Sequence, residues 1–306
     1  MWAEHVQFIR DRCGGIPGRV GVCDLDGHID RVCKVITDLA PHAIECRHIW
    51  STADVGADTY PPEFVEMWDR RIRWCLNGTD FAGAVVVGVA RTFYDMSYEI
   101  QRLMARMRSD KHLQVLNFSV GRTIASELSH ISTLYNLRNT KKLYSDVLNH
   151  PIYTPTIHQG RVWFARTLQQ ARQNNILVCV SKGNVPFDAE FPTAHVQIVS
   201  GTPGLLNVGA CTLDGTLWEG TAPVAGGYTA PGAALELSVG DWRWGTSYSA
   251  PYVAATIALM VGAEPTLTAS EALGVLNTTG KMLHDKSVRV DVVKAVEQVR
   301  KLRKVR

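Results

Sequence analysis

Gly245-Thr246-Ser247-Tyr248-Ser249-Ala250-Pro251 leads directly into the apolar helical run Tyr252–Val261. A serine at a helix start lies among backbone N–H groups that lack intrahelical partners, at the positive end of the helix dipole. That setting favours an alkoxide and an anionic tetrahedral intermediate. The same residue pattern also serves as an ordinary serine N-cap. The choice between the two rests on what the rest of the chain brings to this point.

Short apolar runs, continuous as in strands buried on both faces, lie at Arg19–Cys23, Ala82–Ala90, Gln114–Phe118, Ile176–Val180 and Leu206–Ala210. Helical spacing of apolar residues marks Glu63–Leu76, Ser97–Arg108 and Val162–Asn174. Pro61-Pro62 precedes the first of these helices and Asn77-Gly78 follows it as a stop signal. Alternating strands and helices predict an α/β fold with a central, mostly parallel sheet covered by helices on both sides, hence three layers. No repeat or linker interrupts the pattern, so residues 1–306 read as one domain. The polar, aromatic segment at about 122–160 reads as an insertion, and Lys301–Arg306 as a basic C-terminal helix or tail.

Three strands end in chemically capable residues. Val20-Gly21-Val22-Cys23-Asp24 ends in an acid. Leu116-Asn117-Phe118-Ser119-Val120-Gly121 ends in Ser-x-Gly. Val178-Cys179-Val180-Ser181-Lys182-Gly183-Asn184 ends in Gly-Asn. Parallel sheets place their sites at the carboxyl ends of strands, so Asp24, Asn184 and Ser247 converging there would form an acyl-transfer site. Each residue has a plainer role open to it: Asp24 as a loop cap and Asn184 as a turn residue.

In these motifs and their order, the chain resembles the subtilisin-like serine proteases (the subtilase family) over roughly Gly18–Val299. The resemblance implies a subtilisin-like fold, Ser247 as nucleophile, Asp24 as the triad aspartate and Asn184 as the oxyanion amide. It implies that Asn117, Ser119, Val120 and Gly121, with Ser181 and Gly183, bind the substrate backbone. Ser249-Ala250 stands where the family has Ala-Ser. Val208-Gly209-Ala210 and Thr229-Ala230-Pro231-Gly232 match further segments of the family. A peptide or protein substrate is the expected partner, with a protein partner also open to the 122–160 insertion. No cofactor or metal is expected, since no dense carboxylate cluster is present.

The family's H-G-T-x-x-A-G motif, which carries the general base, has no histidine here. One alignment sets Asn77-Gly78-Thr79-Asp80-Phe81-Ala82-Gly83 against it, with Asn77 in the histidine's place. The other takes Gly78 as a C-cap, Ala82–Ala90 as a strand and Glu63–Leu76 as the histidine-bearing helix, which puts the Thr59–Glu63 region in its place. Spacing favours the second, because the first leaves too few residues before Asn117 for a helix, a strand and another helix. Three readings follow: a pseudoprotease that holds a peptide or partner, an enzyme with another base, or an engineered His→Asn change at Asn77. Glu63 and Glu66 are base candidates, as a helix-borne glutamate is in the related sedolisins. They are equally ordinary first-turn acids. His28 and His48 could fold back, though surface or packing roles suit them as well.

Composition narrows the setting. The chain has 306 residues, a net charge of +3, 46% hydrophobic residues and seven cysteines. That length buries a full core without disulfides. The small charge gives no reason to expect nucleic acid, and no apolar stretch is long enough to span a membrane. An odd cysteine count without a Cys-x-x-Cys pair reads as reduced, buried thiols, hence a cytoplasmic setting; the N-terminus shows no signal-peptide pattern.

Overall fold

The central strands are buried at every position, and their side chains alternate between two covered faces of the sheet. In a computed structural model, residues 1–49, 62–107, 112–119, 121–223 and 225–305 are described. The elements in chain order are α1 (Trp2–Cys13), β1 (Val20–Asp24), α2 (Ile29–Leu39), β2 (Ile44–Ile49), α3 (Pro62–Asn77), α4 (Phe81–Arg106), β3 (Gln114–Phe118), α5 (Ile124–Leu134), α6 (Thr140–Leu148), α7 (Tyr153–Gln173) and β4 (Ile176–Ser181). After a 3-10 turn at Pro192–His195 come β5 (Leu206–Cys211), β6 (Tyr228–Pro231), β7 (Leu235–Glu236), β8 (Trp242–Arg243), α8 (Thr246–Ala263), α9 (Ala269–Thr279), β9 (Lys281–Met282), β10 (Val288–Arg289) and α10 (Val292–Val305). An eight-stranded sheet runs β2-β1-β3-β4-β5-β6-β10-β9, with β7 and β8 a separate hairpin. Its neighbours pair in parallel except β9 and β10.

Val22, Val115, Leu177 and Val208 face one layer, formed with α1, α2, α8, α9 and α10. Cys23, Leu116 and Val178 face the other, which contains α3 to α7. Two-residue alternation between two covered faces explains why these strands read as unbroken apolar runs. Helix α8, which carries Ser247, is apolar around its whole circumference and buried from Tyr248 to Val261, as befits the central helix of a layer.

One expected strand is a helix. Ala82–Ala90 forms the first part of the 26-residue α4, and Ser97–Arg108 belongs to the same helix. Its valines suggest a strand, but Asp80 caps the start by accepting from the Gly83 N–H at 2.8 Å. A continuous apolar run fits a helix enclosed by other helices as well as a buried strand. Here α4 packs against α3, α5, α6 and α7. Close approach of α7 depends on Gly160, where a Cβ would lie 2.5 Å from the Phe93 ring. Because α4 is unbroken from Phe81 to Arg106, the strand expected before Asn117 has no place, and the helix expected there is the second half of α4. The 122–160 segment becomes α5, α6 and the start of α7. Leu128, Ile131, Leu143, Tyr144 and Val147 bury its inner face, so it is a packed helical cap. The basic tail continues α10, whose Ala295, Val296 and Val299 are buried.

Candidate active site

Helix α8 begins at the carboxyl edge of the sheet, against the loop that follows β4. Asn184 Oδ1 accepts from both the backbone N–H and the hydroxyl of Thr246, each at 2.9 Å. The N–H must face an acceptor, which fixes the amide orientation and leaves Asn184 Nδ2 as a donor. Thr246 Oγ1 in turn accepts from the Gly183 N–H at 3.2 Å. Gly245 precedes the helix with φ +155, and a Cβ there would stand 3.3 Å from Asn184 Nδ2. The Tyr248 N–H donates to the Gly245 carbonyl at 3.1 Å. Among the described residues none accepts from the Ser247 N–H. Two donors at this helix start, Asn184 Nδ2 and the N–H of the half-buried Ser247, thus have no acceptor among the described residues.

Asp24 ends β1 and is fully buried. Its Oδ1 accepts from the Leu25 N–H at 2.7 Å and from His28 Nδ1 at 2.9 Å, while Oδ2 has no hydrogen-bond partner. The turn that folds His28 back needs Gly27 in the left-handed region (φ +70) and closes with the His28 N–H donating to Leu25 O at 3.2 Å. The carboxylate draws the ring proton to Nδ1 and leaves Nε2 with its lone pair in neutral imidazole. The His28 ring lies against Tyr248, with centroids 5.5 Å apart. Tyr248 directly follows Ser247 in the first turn of α8, so a histidine held by the predicted triad aspartate packs against the helix start that carries the predicted nucleophile. The sequence offers only one signal for it, the Asp-x-x-x-His spacing at the start of α2.

Asn77 does not belong to this site. It is the exposed last residue of α3. Helix α4 comes up to β1 only near Glu99, eighteen residues beyond Phe81, or about 27 Å of helix at 1.5 Å per residue. The alignment that gives Asn77 the histidine's place fails on that distance. The rival alignment fails on its strand. Glu66 is exposed and paired with Arg70 at 2.7 Å, and Glu63 is exposed at the start of α3. His48 pairs with Glu99 at 3.0 Å on the sheet face opposite α8. Residues 59–61 and Val120 lie outside the described residues.

The predicted substrate strand is only partly accessible. Asn117 is fully buried and its strand pairs on one side with β1 and on the other with β4, so no substrate strand can add there. Its amide donates to Ser119 Oγ at 2.9 Å, a positioning role that corrects its assignment as a substrate contact. Ser119 and Ser181 are buried as well, beneath Gln197. Gln197 Nε2 donates to Ser181 Oγ at 2.7 Å and its backbone N–H to Lys182 O at 2.9 Å; the Ile198 N–H donates to Arg122 O at 3.0 Å. A Cβ on Gly121 would collide with Gln197 Oε1, and one on Gly183 with His195 O. Residues 195–198 thus fill the space between the two segments, a feature no local sequence signal announces. Lys182 is fully buried. Burial pushes its pKa down, and Asp285, 3.9 Å away, opposes this.

The sequence profile of the subtilase family matches residues 82–293, a span that includes Asn117, Asn184 and Ser247 and begins beyond Asp24. A comparison with curated proteins returns no match. Among solved structures, the patellamide maturation protease PatG is 12% identical, with 95% of this chain and 94% of that chain covered at a TM-score of 0.53. MycP1 from Mycobacterium smegmatis is 17% identical, with 96% and 84% covered at 0.51. A chain of the subtilase cytotoxin SubAB is 14% identical at a TM-score of 0.42, with 69% of this chain covered, and this chain spans 66% of its length. Identities this low speak for the fold alone, and the fold agrees with the three-layer arrangement around a mostly parallel sheet. The profile extends over more than half of the sequence, and on that ground the chain belongs to the subtilase family.

Proposed function

We propose that this protein is a serine peptidase that cleaves peptide bonds by acyl transfer through Ser247, with His28 as its base. The observation that carries this reading is the 2.9 Å bond from His28 Nδ1 to the buried Asp24 carboxylate, with the ring against Tyr248. His28 Nε2 takes the proton from Ser247 as Oγ attacks the scissile carbonyl carbon. The oxyanion accepts from Asn184 Nδ2 and the Ser247 N–H. Collapse of the intermediate breaks the C–N bond, and His28 returns the proton to the leaving amine. Water then attacks the acyl-enzyme, with His28 taking its proton and passing it to Ser247. Asp24 keeps the imidazole in the Nδ1–H form and stabilises the imidazolium.

A groove of about 450 Å³ lined by Leu128, Ser132, Leu137, Phe191 and Ala194 borders the helical cap. It is the surface proposed for a longer peptide or a protein partner. The seven free cysteines, six of them buried, favour a reducing compartment such as the cytoplasm.

One observation favours a second reading, a peptide-binding module without turnover: no described residue hydrogen-bonds the Ser247 hydroxyl. A fluorophosphonate probe with adduct mapping by mass spectrometry separates the two. A peptidase is labelled at Ser247 and the Ser247→Ala variant is not. A folded protein that still binds peptide and takes no label anywhere is the binding module.

A further inference from the structure

Behind the Asp24 strand, on the face turned away from α8, three side chains from three elements meet. Cys23 precedes Asp24 on β1. His48 is its register partner on β2. Glu99 comes down from α4. The Cys23 thiol, a His48 ring nitrogen and a Glu99 carboxylate oxygen all lie within 4.8 Å of one another, and all three residues are buried. We infer that this trio is a zinc site, independent of the peptidase reading.

The argument rests on charge and on donor chemistry. Glu99 is fully buried and neither of its carboxylate oxygens has a hydrogen-bond partner; Oε2 lies 3.0 Å from His48 Nε2, which is likewise without one. A desolvated carboxylate with neither oxygen hydrogen-bonded is costly unless a cation meets it. Arg102, one helical turn further along α4, gives it no hydrogen bond; its own Nη1 is buried without a partner. A divalent ion balances the Glu99 carboxylate and a Cys23 thiolate together, and binding releases the Cys23 proton to solvent. Thiolate, imidazole and carboxylate are a donor set that suits zinc and disfavours calcium or magnesium, which want oxygen alone. Ligand bonds of about 2.0–2.3 Å put tetrahedral donors roughly 3.3–3.8 Å apart, a spacing that lies between the 3.0 Å His48–Glu99 contact and the 4.8 Å limit of the trio. Three protein donors leave one coordination position for water. The ion would tie β1, β2 and α4 together one residue from Asp24.

Sequence spacing hides such a site. Its donors are 25 residues apart between Cys23 and His48 and 51 apart between His48 and Glu99, and only the strand register and the helix crossing unite them.

The full chain, purified without immobilised-metal chromatography, is expected to carry about one zinc per chain by elemental mass spectrometry. Stripped by chelator and titrated with cobalt, it is expected to show a sulfur-to-cobalt charge-transfer band and tetrahedral visible bands, and its melting temperature should rise on adding zinc. Cys23→Ala should remove the charge-transfer band, and Glu99→Gln should weaken cobalt binding by about 10-fold or more. Cys33→Ala, on the opposite layer, should alter neither. If the Cys23 or Glu99 variants fail to fold, the wild-type chain still decides. Absence of zinc together with no charge-transfer band and no zinc-dependent melting shift overturns the proposal. A charge-transfer band that survives in a folded Cys23→Ala variant overturns it as well.

Discussion

At the scale of single residues, the site depends on which atoms are already engaged. Asn184 engages its carbonyl with Thr246, which leaves its amide available for the oxyanion of the proposed reaction. Asn184→Ala should therefore lower Ser247 reactivity by about 10²–10³, the loss typical of removing one oxyanion donor. Because Asn184 Oδ1 also accepts from the N–H and hydroxyl of the buried Thr246, the variant should melt at a lower temperature as well, so calorimetry in parallel confirms that reactivity is read on folded protein. The places of Asp24, Asn184 and Ser247 in the fold were legible in the sequence because Asp24 ends β1, Asn184 closely follows β4 and Ser247 lies in the first turn of α8. His28 was much less so. Its role depends on a four-residue turn through Gly27 that returns the ring to Asp24, and nothing in the residue order separates that turn from an ordinary surface loop. The reassignment of Asn117 has a similar origin: a sequence shows that a strand exists, while its two neighbours in the sheet decide whether any edge is open.

At the scale of elements, α4 is the main departure from expectation. Strands β1, β3, β4 and β5 were readable from their apolar runs to within a residue at either end. Helix α4 carries the same kind of run for a different reason, burial among helices. Its fit can be tested. Gly160→Ala should push a methyl group into Phe93 and cost about 1–3 kcal/mol. Gly274→Ala, exposed within α9 where a Cβ meets nothing within 4 Å, should add about 0.5–1 kcal/mol. Urea unfolding of both variants checks the pair. The charges on α4 also predict a pH effect. Burial pushes the Asp95 carboxyl up to about 6 from an ordinary value of 3.8, against the opposing pull of Arg91. Between those values the folded chain holds a proton that the unfolded chain has released, so this group makes stability fall as pH rises through that window, by up to about 3 kcal/mol. Asp95→Asn should remove that slope. The wild-type minus variant stability, compared by urea unfolding at pH 4 and pH 7, should be lower at pH 7.

At the scale of the whole molecule, one sheet buried on both faces carries the candidate site at its edge and the thiols of Cys23, Cys179 and Cys211 within it. Burial pushes Cys23 and Cys179 well up and Cys211 up to about 12. Iodoacetamide at pH 8 should spare these three in the folded protein and modify all seven cysteines once it is unfolded, counted by intact mass. Order along the chain revealed the family and the sheet, because each motif lies at a strand end or a helix start. The proposed base was hidden because it precedes a different element, α2, whereas the Asn77-Gly78-Thr79 segment that matches the family motif lies at the end of α3 and in the turn after it. The rate of Ser247 phosphonylation by a fluorophosphonate, followed by intact mass, tests this directly in wild type, His28→Ala and Asn77→His. The account predicts a loss of about 100-fold or more in His28→Ala and no gain in Asn77→His. Equal rates in wild type and His28→Ala, or activation by Asn77→His, would contradict it.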